Sequence, residues 1–444
     1  MYTDMPKIAC TRTFGCQQNE ADTERLRGQL RLMGFEFAAQ PDGADVMLLN
    51  TCAVREHAES RVWGHVGELS HWKAERPGRV LVLCGCMAAL PENAEKVRCS
   101  YPHVDLLIEP RQIGSFANIL SAYLQGKEPY HSLEPDQLSA AVQRAAPPRA
   151  WIPVMSGCDN YCSYCIVPHT RGREQSLSMD AVSNDIESLL DEGYKDFTLL
   201  GQNVNSYRDP SGGGGFPELL RRVCARGGDY LVRFMTSHPK DCSPALLEAM
   251  AGLEHIAPHL HLPVQSGSDR VLAAMNRGYT AARYLSLIDL ARSLMPGLTV
   301  TSDVIVGFPG ETEDDFEDTL KLVGQAQYDM LFTFLYSPRR GTPAAQMQDL
   351  PRDVKQRRFD RLLELQNSIS HDRHAALEGT VQRVLIDGFE PKNDRPLTGR
   401  TPGGRLVRLE GGPEWVGRFV QAEITAHTTW NLFGKIGGNA SCPT

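Results

Sequence analysis

The stretch Ser156-Gly-Cys-Asp-Asn-Tyr-Cys-Ser-Tyr-Cys-Ile-Val-Pro-His-Thr-Arg-Gly-Arg173 is the part of the sequence that most restricts the fold. It contains Cys158, Cys162 and Cys165 in the spacing C-x3-C-x2-C, with Tyr164 directly before the third cysteine. Three thiolates from one short loop can ligate three irons of a cubane iron–sulfur cluster. Because no fourth cysteine lies nearby, one iron would stay open to bind a small molecule beside the Tyr164 ring.

A zinc knuckle is the alternative interpretation of this loop. Zinc takes four tetrahedral nitrogen or sulfur ligands, and His169 is the only nearby candidate for the fourth. The ligand count and spacing favour the cluster.

Composition sets the broad class. The chain has 444 residues, of which 41% are hydrophobic and 23% charged, so it is long enough for two or three domains. It has no apolar run of membrane-spanning length, and Met1–Lys7 lacks the features of a secretory or transit peptide. We therefore expect a cytoplasmic protein. The net charge of −8 argues against general nucleic-acid binding but allows a local basic surface.

Residues 1–125 alternate between strand-like and helix-like segments, which predicts an open α/β sheet with helices on both faces. Cys16, Cys52 and Cys86 each follow one of the predicted strands. Ligands of such sheets gather at the carboxyl ends of the strands, so we expect the three cysteines to share a site. Three unrelated loop cysteines are the alternative. Cys84 is expected to be a half-buried structural thiol.

A linker is predicted at 126–149, where periodicity is lost and Pro is frequent. Residues 150–376 then contain six strand–helix repeats, which predicts a partial (β/α)6 barrel. Polar residues at the carboxyl ends of barrel strands commonly bind ligands. By this rule Gln202, Asn203, Gln265 and Ser266, which follow predicted strands, are predicted to bind the cofactor. Tyr164 beside the cysteine loop, Asp303 within a predicted strand, and Arg277, which flanks a helix and could pair with a cofactor carboxylate, are predicted as well, whereas Met275 is expected in the core.

Residues 377–442 show several short strand-like runs separated by Gly and Pro, which predicts a small antiparallel β-barrel. Four arginines in this region could bind RNA phosphates, or could simply be exposed on hairpin loops. They are Arg395, Arg400, Arg405 and Arg408.

The whole layout resembles the methylthiotransferases of the radical S-adenosylmethionine (SAM) superfamily, and most closely their MiaB-type tRNA enzymes. The last barrel resembles the TRAM domain, an RNA-binding module. Gln18 and His169 are small departures, since Met and Tyr are common at those positions. The resemblance covers nearly the whole chain and rests on the segments Gly15–Glu20, Asn50–Arg55, Gly85–Met87, Gly157–Glu174, Leu200–Tyr207 and His261–Ser268.

The resemblance implies a transferase with two [4Fe–4S] clusters. Cys158, Cys162 and Cys165 would hold the cluster that cleaves SAM, using an electron from a flavodoxin- or ferredoxin-type partner. The resulting radical would take hydrogen from C2 of N6-isopentenyladenosine at tRNA position 37, next to the anticodon. Cys16, Cys52 and Cys86 would hold an auxiliary cluster that carries the inserted sulfur, replenished by a sulfur or cluster supply system. A second SAM would methylate that sulfur. No catalytic residue beyond the cluster ligands is predicted.

Three alternatives stay open. The same chemistry could act on a ribosomal-protein aspartate, although enzymes of that type commonly have Gln-His where this chain has Gln265-Ser266. It could also act on threonylcarbamoyl-adenosine in tRNA, although the run Gln202–Tyr207 favours the MiaB type. The third alternative is a non-catalytic, zinc-dependent RNA-binding module.

Overall fold

The computed structural model describes residues 7–53, 56–126 and 142–437. Within these ranges the chain divides into two compact units. The first comprises the described parts of Met1–Ala145 together with Met155–Asp159 and Cys165–Leu177. The second comprises Ala146–Val154, Asn160–Tyr164 and the described part of Ser178–Thr444. The cysteine-rich loop therefore contributes residues to both units, and each unit is described by itself.

The strands of the described chain are β1 (Lys7–Thr13), β2 (Phe35–Phe37), β3 (Val46–Thr51), β4 (Val80–Gly85), β5 (Leu106–Ile108), β6 (Arg149–Pro153), β7 (Met155–Ser156), β8 (Gln175–Ser176), β9 (Asp196–Leu200), β10 (Leu231–Phe234), β11 (His259–His261), β12 (Thr299–Val306), β13 (Met330–Leu335), β14 (Val381–Phe389), β15 (Leu397–Arg400), β16 (Leu406–Leu409), β17 (Phe419–His427) and β18 (Leu432–Ile436). The helices are α1 (Gln17–Leu32), α2 (Glu56–Glu75), α3 (Pro91–Ser100), α4 (Phe116–Leu124), α5 (Val167–Arg171), α6 (Met179–Asp191), α7 (Phe216–Val223), α8 (Pro244–Gly252), α9 (Asp269–Ala274), α10 (Ala281–Leu294), α11 (Glu313–Ala326) and α12 (Arg352–Ala375).

The first unit is built on a parallel sheet with the strand order β2-β1-β3-β4-β5. Its central strands β3 and β4 are apolar and fully buried because helices cover both faces. Met47 and Leu49 pack with Val62 and Val66 of α2 on one face. On the other face, Val46 and Leu48 pack with residues of α1 and α4, namely Leu26, Leu30, Ile119 and Leu120. The predicted open α/β sheet is confirmed.

The second unit contains two three-stranded parallel sheets, β6-β9-β10 and β11-β12-β13. They adjoin where Ala257, just before β11, donates its N–H to the carbonyl of Val232 on β10 at 2.9 Å. The six strands thus follow one another in chain order, with helices between them. Among the described pairings none joins β6 to β13. The predicted partial barrel of six strand–helix repeats is confirmed.

Strands β14 to β18 close a separate small barrel in the order β14-β15-β16-β18-β17. Its core is lined by buried aliphatic side chains such as Val384, Ile386, Leu409 and Ile424. The predicted C-terminal barrel is confirmed. One of its pairings, β16 with β18, is parallel, while the other four are antiparallel.

The predicted boundaries at 125/126, 149/150 and 376/377 stay predictions. Much of the predicted linker, residues 127–141, lies outside the described residues, as do Arg55 and residues 438–442 at the end of the predicted last domain. The sequence Trp151-Ile-Pro-Val-Met155 predicts a single strand that runs into the cysteine loop, but the structure divides it into two. Arg149–Pro153 pairs in parallel with β9, whereas Met155–Ser156 pairs antiparallel with Gln175–Ser176. Among the described residues, no helix combines the length and apolarity needed to cross a membrane.

Candidate functional site

The three N-terminal cysteines lie at one edge of the first unit's sheet. Cys16 is the N-cap of α1 and follows β1, Cys52 follows β3, and Cys86 follows β4. Strands β1, β3 and β4 are neighbours and parallel, so their carboxyl ends meet at the same edge. Cys52 and Cys86 are buried, while Cys16 is exposed. Their metal-ligand role stays a prediction, but the fold brings them together.

Two glycines permit this close approach. Gly15 has a φ of +153°, and a Cβ on it would come within 2.8 Å of the Cys52 Cβ. Gly85 has a φ of +92°, and a Cβ there would lie 2.3 Å from the carbonyl oxygen of Thr51. Any larger residue at either position would therefore push the cysteine-bearing loops apart.

An amide network, formed by the buried side chains of Asn19 and Asn50, joins these loops. Asn19 Oδ1 accepts from the Cys16 N–H at 3.4 Å and from its Sγ at 3.3 Å. Asn19 Nδ2 donates to Asn50 Oδ1 and to the Thr51 carbonyl, both at 3.1 Å. Asn50 Nδ2 returns a bond of 2.8 Å to the Asn19 carbonyl. Sequence reasoning missed this network, although both asparagines stand within three residues of a predicted ligand.

The electrostatics around Cys16 favour thiolate over thiol. The hydrogen bond from Cys52, and the guanidinium of Arg171, lower the pKa of Cys16 to about 6. Thiolate is the form that ligates iron. Cys84 differs, because burial raises the pKa of its thiol. Its Sγ donates to the Leu49 carbonyl at 3.4 Å inside the core, in keeping with a structural role.

Within residues 7–53, 56–126 and 142–437, no three His, Cys, Asp or Glu side chains are grouped tightly enough to hold a single metal ion. In a cubane cluster each cysteine ligates a different iron, so its sulfurs need not surround one ion. The three convergent thiols, one of them with a lowered pKa, form a donor set that fits an iron–sulfur cluster. The buried cation that acts on Cys16 is Arg171, and its charge suits an anionic cluster.

Of the three cysteines in the C-x3-C-x2-C loop, Cys158 and Cys165 belong to the first unit. The Cys158 N–H donates to the Gly172 carbonyl at 3.1 Å. Gly157 has a φ of +82°, and a Cβ there would lie 2.0 Å from the Arg173 carbonyl oxygen, so the two arms of the loop meet closely only because this residue is Gly. Cys165 is half-buried and precedes Ile166, which packs in the core that also contains Cys86.

Cys162 lies in the second unit, where the buried Arg277 donates from Nη1 to its Sγ at 3.4 Å. The other guanidinium donors reach the Pro263 carbonyl at 2.9 Å and the Tyr279 hydroxyl at 3.1 Å. We expected Arg277 to pair with a SAM carboxylate. These three contacts instead hold the guanidinium against the cysteine, and the cofactor role stays a prediction.

The other predicted cofactor-binding residues also belong to the second unit. Tyr164 packs against the core cluster that contains Met275, which is fully buried as predicted. Asn203 is buried; its Nδ2 donates to Asp241 at 2.8 Å, and its Oδ1 has no hydrogen-bond partner among the described residues. Gln202, just after β9, is half-buried.

Gln265 and Ser266 lie just after β11, and Gln265 adopts a φ of +71°. The Ser266 hydroxyl lies 3.4 Å from that of Thr319 and accepts from the Ser268 N–H at 3.2 Å. Asp303 on β12 lies 3.7 Å from His261 Nε2.

His238, which sequence reasoning missed, follows β10. Burial lowers the pKa of His238 to about 2, and its Nε2 has no partner among the described residues.

Three of the four arginines predicted to bind RNA form ion pairs with acidic residues of the same unit. Arg405 pairs with Asp329, Arg400 pairs with Asp387 at 3.2 Å, and Arg408 pairs with Glu390 at 3.2 Å. Arg395 lies over the Phe433 ring at 5.1 Å. Much of their charge is therefore balanced within the second unit, and Arg405, only 15% exposed, is the least suited to reach a phosphate.

Three protein-family models match separate parts of the chain. The radical SAM superfamily model matches residues 152–323, the model of the uncharacterized protein family UPF0004 matches residues 8–109, and the TRAM domain model matches residues 375–436.

Curated proteins match along nearly the whole chain. A protein of Acetivibrio thermocellus is 43% identical over 98% of this chain and 92% of its own length. One of Clostridium botulinum strain Langeland is 41% identical over 95% of each chain, and one of Natranaerobius thermophilus is 40% identical over 96% of each. All three bear the name tRNA-2-methylthio-N(6)-dimethylallyladenosine synthase.

Among solved structures, the radical SAM methyltransferase TsrM from Kitasatospora setae has a TM-score of 0.59 at 14% identity, covering 77% of this chain and 74% of its own. The cobalamin-dependent SAM radical enzyme OxsB has a TM-score of 0.54 at 13% identity over 82% of this chain, which spans 56% of OxsB. At such identities the likeness shows the fold alone.

Proposed function

The chain belongs to the family of radical SAM proteins named tRNA-2-methylthio-N(6)-dimethylallyladenosine synthases, and from this premise we propose its substrate and the division of labour among its cysteines. It is a transferase that adds a methylthio group to tRNA. The proposed target is C2 of N6-isopentenyladenosine at position 37, beside the anticodon. The observation that carries the proposal is identity of 40% or more over nearly the full length of relatives with one name.

A [4Fe–4S] cluster and SAM follow from membership of the superfamily. Cys158, Cys162 and Cys165 would hold this cluster, and Cys16, Cys52 and Cys86 would hold a second. When bound, the first supplies the electron that cleaves SAM and the second supplies the sulfur that is inserted. The convergence of Cys16, Cys52 and Cys86 at neighbouring strand ends supports the second assignment.

The protein's own side chains prepare both sites. Around the first unit's cysteines, Asn19 and Asn50 fix the loops, while Gly15 and Gly85 let them approach. In the second unit, Arg277 donates a charge-assisted hydrogen bond to Cys162 Sγ and thereby fixes the position of this cysteine.

Asn203 is suited to a cationic group of SAM. Asp241 accepts its amide hydrogen and thereby leaves the buried Oδ1 as an acceptor. An acceptor in that position suits the methionyl ammonium of SAM, which can only donate. We propose Gln202, Gln265, Ser266 and Asp303 as further contacts to SAM or to the adenosine. The first three follow strands of the barrel, and the Gln265 N–H donates to the Asp303 carbonyl on β12 at 2.8 Å.

The partners follow from this chemistry. The C-terminal TRAM barrel contacts tRNA. Arg395 and Arg408 are better suited to this contact than Arg405, because their described partners, Phe433 and Glu390, lie on the small barrel itself, whereas Arg405 pairs with Asp329 of the central barrel. A reduced flavodoxin- or ferredoxin-type protein supplies the electron, a sulfur or cluster supply system restores the sulfur, and one turnover consumes two SAM. We place the protein in the cytoplasm, where its tRNA substrate occurs.

Anaerobic turnover with the reconstituted full-length protein tests the proposal. The substrates are SAM, dithionite and tRNA carrying isopentenyladenosine, and the nucleosides are analysed by mass spectrometry. We expect the 2-methylthio nucleoside and about eight irons per chain.

Parallel reactions test the alternative substrates. They contain either tRNA with threonylcarbamoyl-adenosine or a ribosomal protein in place of the isopentenylated tRNA. The names of the relatives do not favour either substrate, and product from one of them in place of the isopentenylated tRNA would contradict the proposal. A colourless protein that contains zinc and no iron would also contradict it.

A further inference from the structure

The segment Cys165–Leu177 connects two predicted functions within the first unit. It begins at a predicted ligand of the SAM-cleaving cluster, and its second residue, Ile166, packs in the core that contains Ala53, Cys86 and Met87. Helix α5 follows directly and ends at Arg171. The segment thus runs from one cysteine group to the residues that surround the other.

Arg171 forms a buried ion pair with Asp22 of α1. Its Nη2 donates to Asp22 Oδ2 at 2.7 Å, and the two side chains are 5% and 2% exposed. The other oxygen of Asp22 accepts from Gln18 Nε2 at 3.2 Å, so the carboxylate is fixed from two sides. Burying such a pair costs desolvation energy that its mutual attraction often fails to repay. A role beyond stability would explain why the pair is charged.

The ion pair is linked to both arms of the N-terminal cysteine site. Cys16 is the N-cap of α1, and Gln18, which bonds Asp22, stands two residues after it on the same helix. Arg171 ends the short helix α5, which begins directly after Ile166, a member of the core that contains Cys86. In keeping with this placement, the guanidinium helps to lower the pKa of Cys16. The buried cation therefore lies near the predicted cluster ligands.

We propose that Arg171 is the counter-charge of the N-terminal cysteine site, a guanidinium fixed by Asp22 that stabilises the reduced state of the cluster held by Cys16, Cys52 and Cys86. Net charge and hydrogen bonding are the main means by which a protein sets the potential of such a cluster. Reduction adds a negative charge, so a fixed nearby cation raises the potential. Arginine suits this position because it stays protonated even when buried. The inference rests on the proposed second cluster.

The test uses the full-length chain with Cys158, Cys162 and Cys165 replaced by Ala, so that the remaining iron–sulfur signal comes from the N-terminal site. The midpoint potential is measured by an anaerobic redox titration followed by EPR. Arg171→Gln should lower it by at least 59 mV, which is a tenfold change in the one-electron reduction equilibrium. Arg171→Lys should retain most of the wild-type potential.

Arg173→Gln is the matched control. Arg173 lies two residues further along the same segment and pairs with Asp159, but its side chain is 76% exposed. Removing this charge should leave the potential unchanged, because solvent screens it. Equal shifts in the two variants would overturn the specific role of Arg171.

A second variant keeps the test informative if Arg171→Gln binds no cluster, since it leaves Asp22 buried without its partner. Arg171→Gln/Asp22→Asn keeps a neutral hydrogen-bonded pair, and the same downward shift is expected. If either of these two variants binds the cluster and shows the wild-type potential, the proposal is overturned. If neither variant binds the cluster, Arg171→Lys decides. A cluster retained in Arg171→Lys supports the counter-charge role, whereas a cluster lost in Arg171→Lys overturns it and indicates a packing role. An iron-free triple-cysteine parent would instead overturn the second cluster itself.

Discussion

At the scale of single residues, the N-terminal cysteine site depends on side chains that are not its ligands. Asn19 and Asn50 exchange hydrogen bonds with each other, with Cys16 and with the Thr51 carbonyl beside Cys52. Amides suit this position because each offers both donors and acceptors. The network connects the loops that carry Cys16 and Cys52.

Replacing Asn50 by Ala should therefore remove the N-terminal cluster selectively. The loss leaves buried groups of Asn19 unsatisfied, which costs about 1–3 kcal/mol, and frees the two loops. We expect iron per chain to fall by about half, while cleavage of SAM to 5′-deoxyadenosine continues. Iron analysis and product chromatography measure the two effects.

Gln29→Ala is the control for this prediction. Gln29 is also buried on the α1 side of the sheet, where it bonds the Ile113 carbonyl at 2.6 Å and the Ala117 N–H at 2.9 Å. Its loss should destabilise the first unit without reducing the iron content. A similar loss of iron in both variants would mean that Asn50 contributes only to general stability.

At the scale of elements, strand β11 carries a buried, uncharged imidazole on His259. His259 on β11 lies 2.9 Å from the Thr301 hydroxyl on β12, and burial, with Arg233 nearby, lowers the pKa of His259 to about 3. In the unfolded chain a His has a pKa of about 6.5. The folded state therefore loses stability as the pH falls from about 6.5 toward 3.

His259→Gln should make the second unit less sensitive to acid. Between pH 7.5 and 5.5 the wild-type imidazole costs about 1 kcal/mol of unfolding free energy, and the neutral amide does not titrate. Urea unfolding of the iron-free protein at the two pH values measures this difference. His71→Gln, at an exposed position on α2, should keep the wild-type pH dependence. An unchanged acid loss in His259→Gln would contradict the assignment.

The sequence predicted those elements that have a strong local pattern. The apolar runs Asp45–Asn50 and Arg79–Leu83 predict two buried strands, and β3 and β4 lie within two residues of these bounds. The segment Leu397-Thr-Gly-Arg400 has no such pattern, and only its pairing with β14 and β16 makes it strand β15. Strands β2 and β5 are three residues long and equally weak as signals.

Long-range contacts explain what the sequence could not predict about the sites. The positions of Cys16, Cys52 and Cys86 after three strands were enough to predict that they converge. The partners of the arginines could not be predicted from local sequence. Arg405, for example, pairs with Asp329, which belongs to the preceding barrel. Likewise, nothing local to Arg171 indicates a partner as distant in sequence as Asp22.

At the scale of the whole molecule, arginine side chains connect the C-terminal barrel to the central barrel. Arg405 bonds Asp329 and the Thr299 hydroxyl, the latter at 3.0 Å, and Arg233 donates to the Pro402 carbonyl at 2.9 Å. Both members of the Arg405–Asp329 pair are largely buried. Their main contribution is therefore to hold the two barrels together.

Arg405→Gln should accordingly destabilise the second unit by about 3–5 kcal/mol, because Asp329 is left buried without its partner. The double variant Arg405→Gln/Asp329→Asn should recover much of that loss, and thermal unfolding measures both. By contrast, Arg408→Gln should cost little stability and weaken tRNA binding. Unchanged unfolding of Arg405→Gln with weakened tRNA binding would restore Arg405 as an RNA contact.

In the proposed mechanism, one chain contains a radical-generating cysteine group and a separate sulfur-carrying group. Anaerobic turnover of Cys158→Ala and Cys16→Ala, with both 5′-deoxyadenosine and methylthiolated nucleoside measured, distinguishes the two groups. Cys158→Ala should form neither product, whereas Cys16→Ala should still cleave SAM but yield no methylthio nucleoside. Full product formation by Cys16→Ala would contradict the assignment of Cys16, Cys52 and Cys86 to the sulfur-carrying cluster.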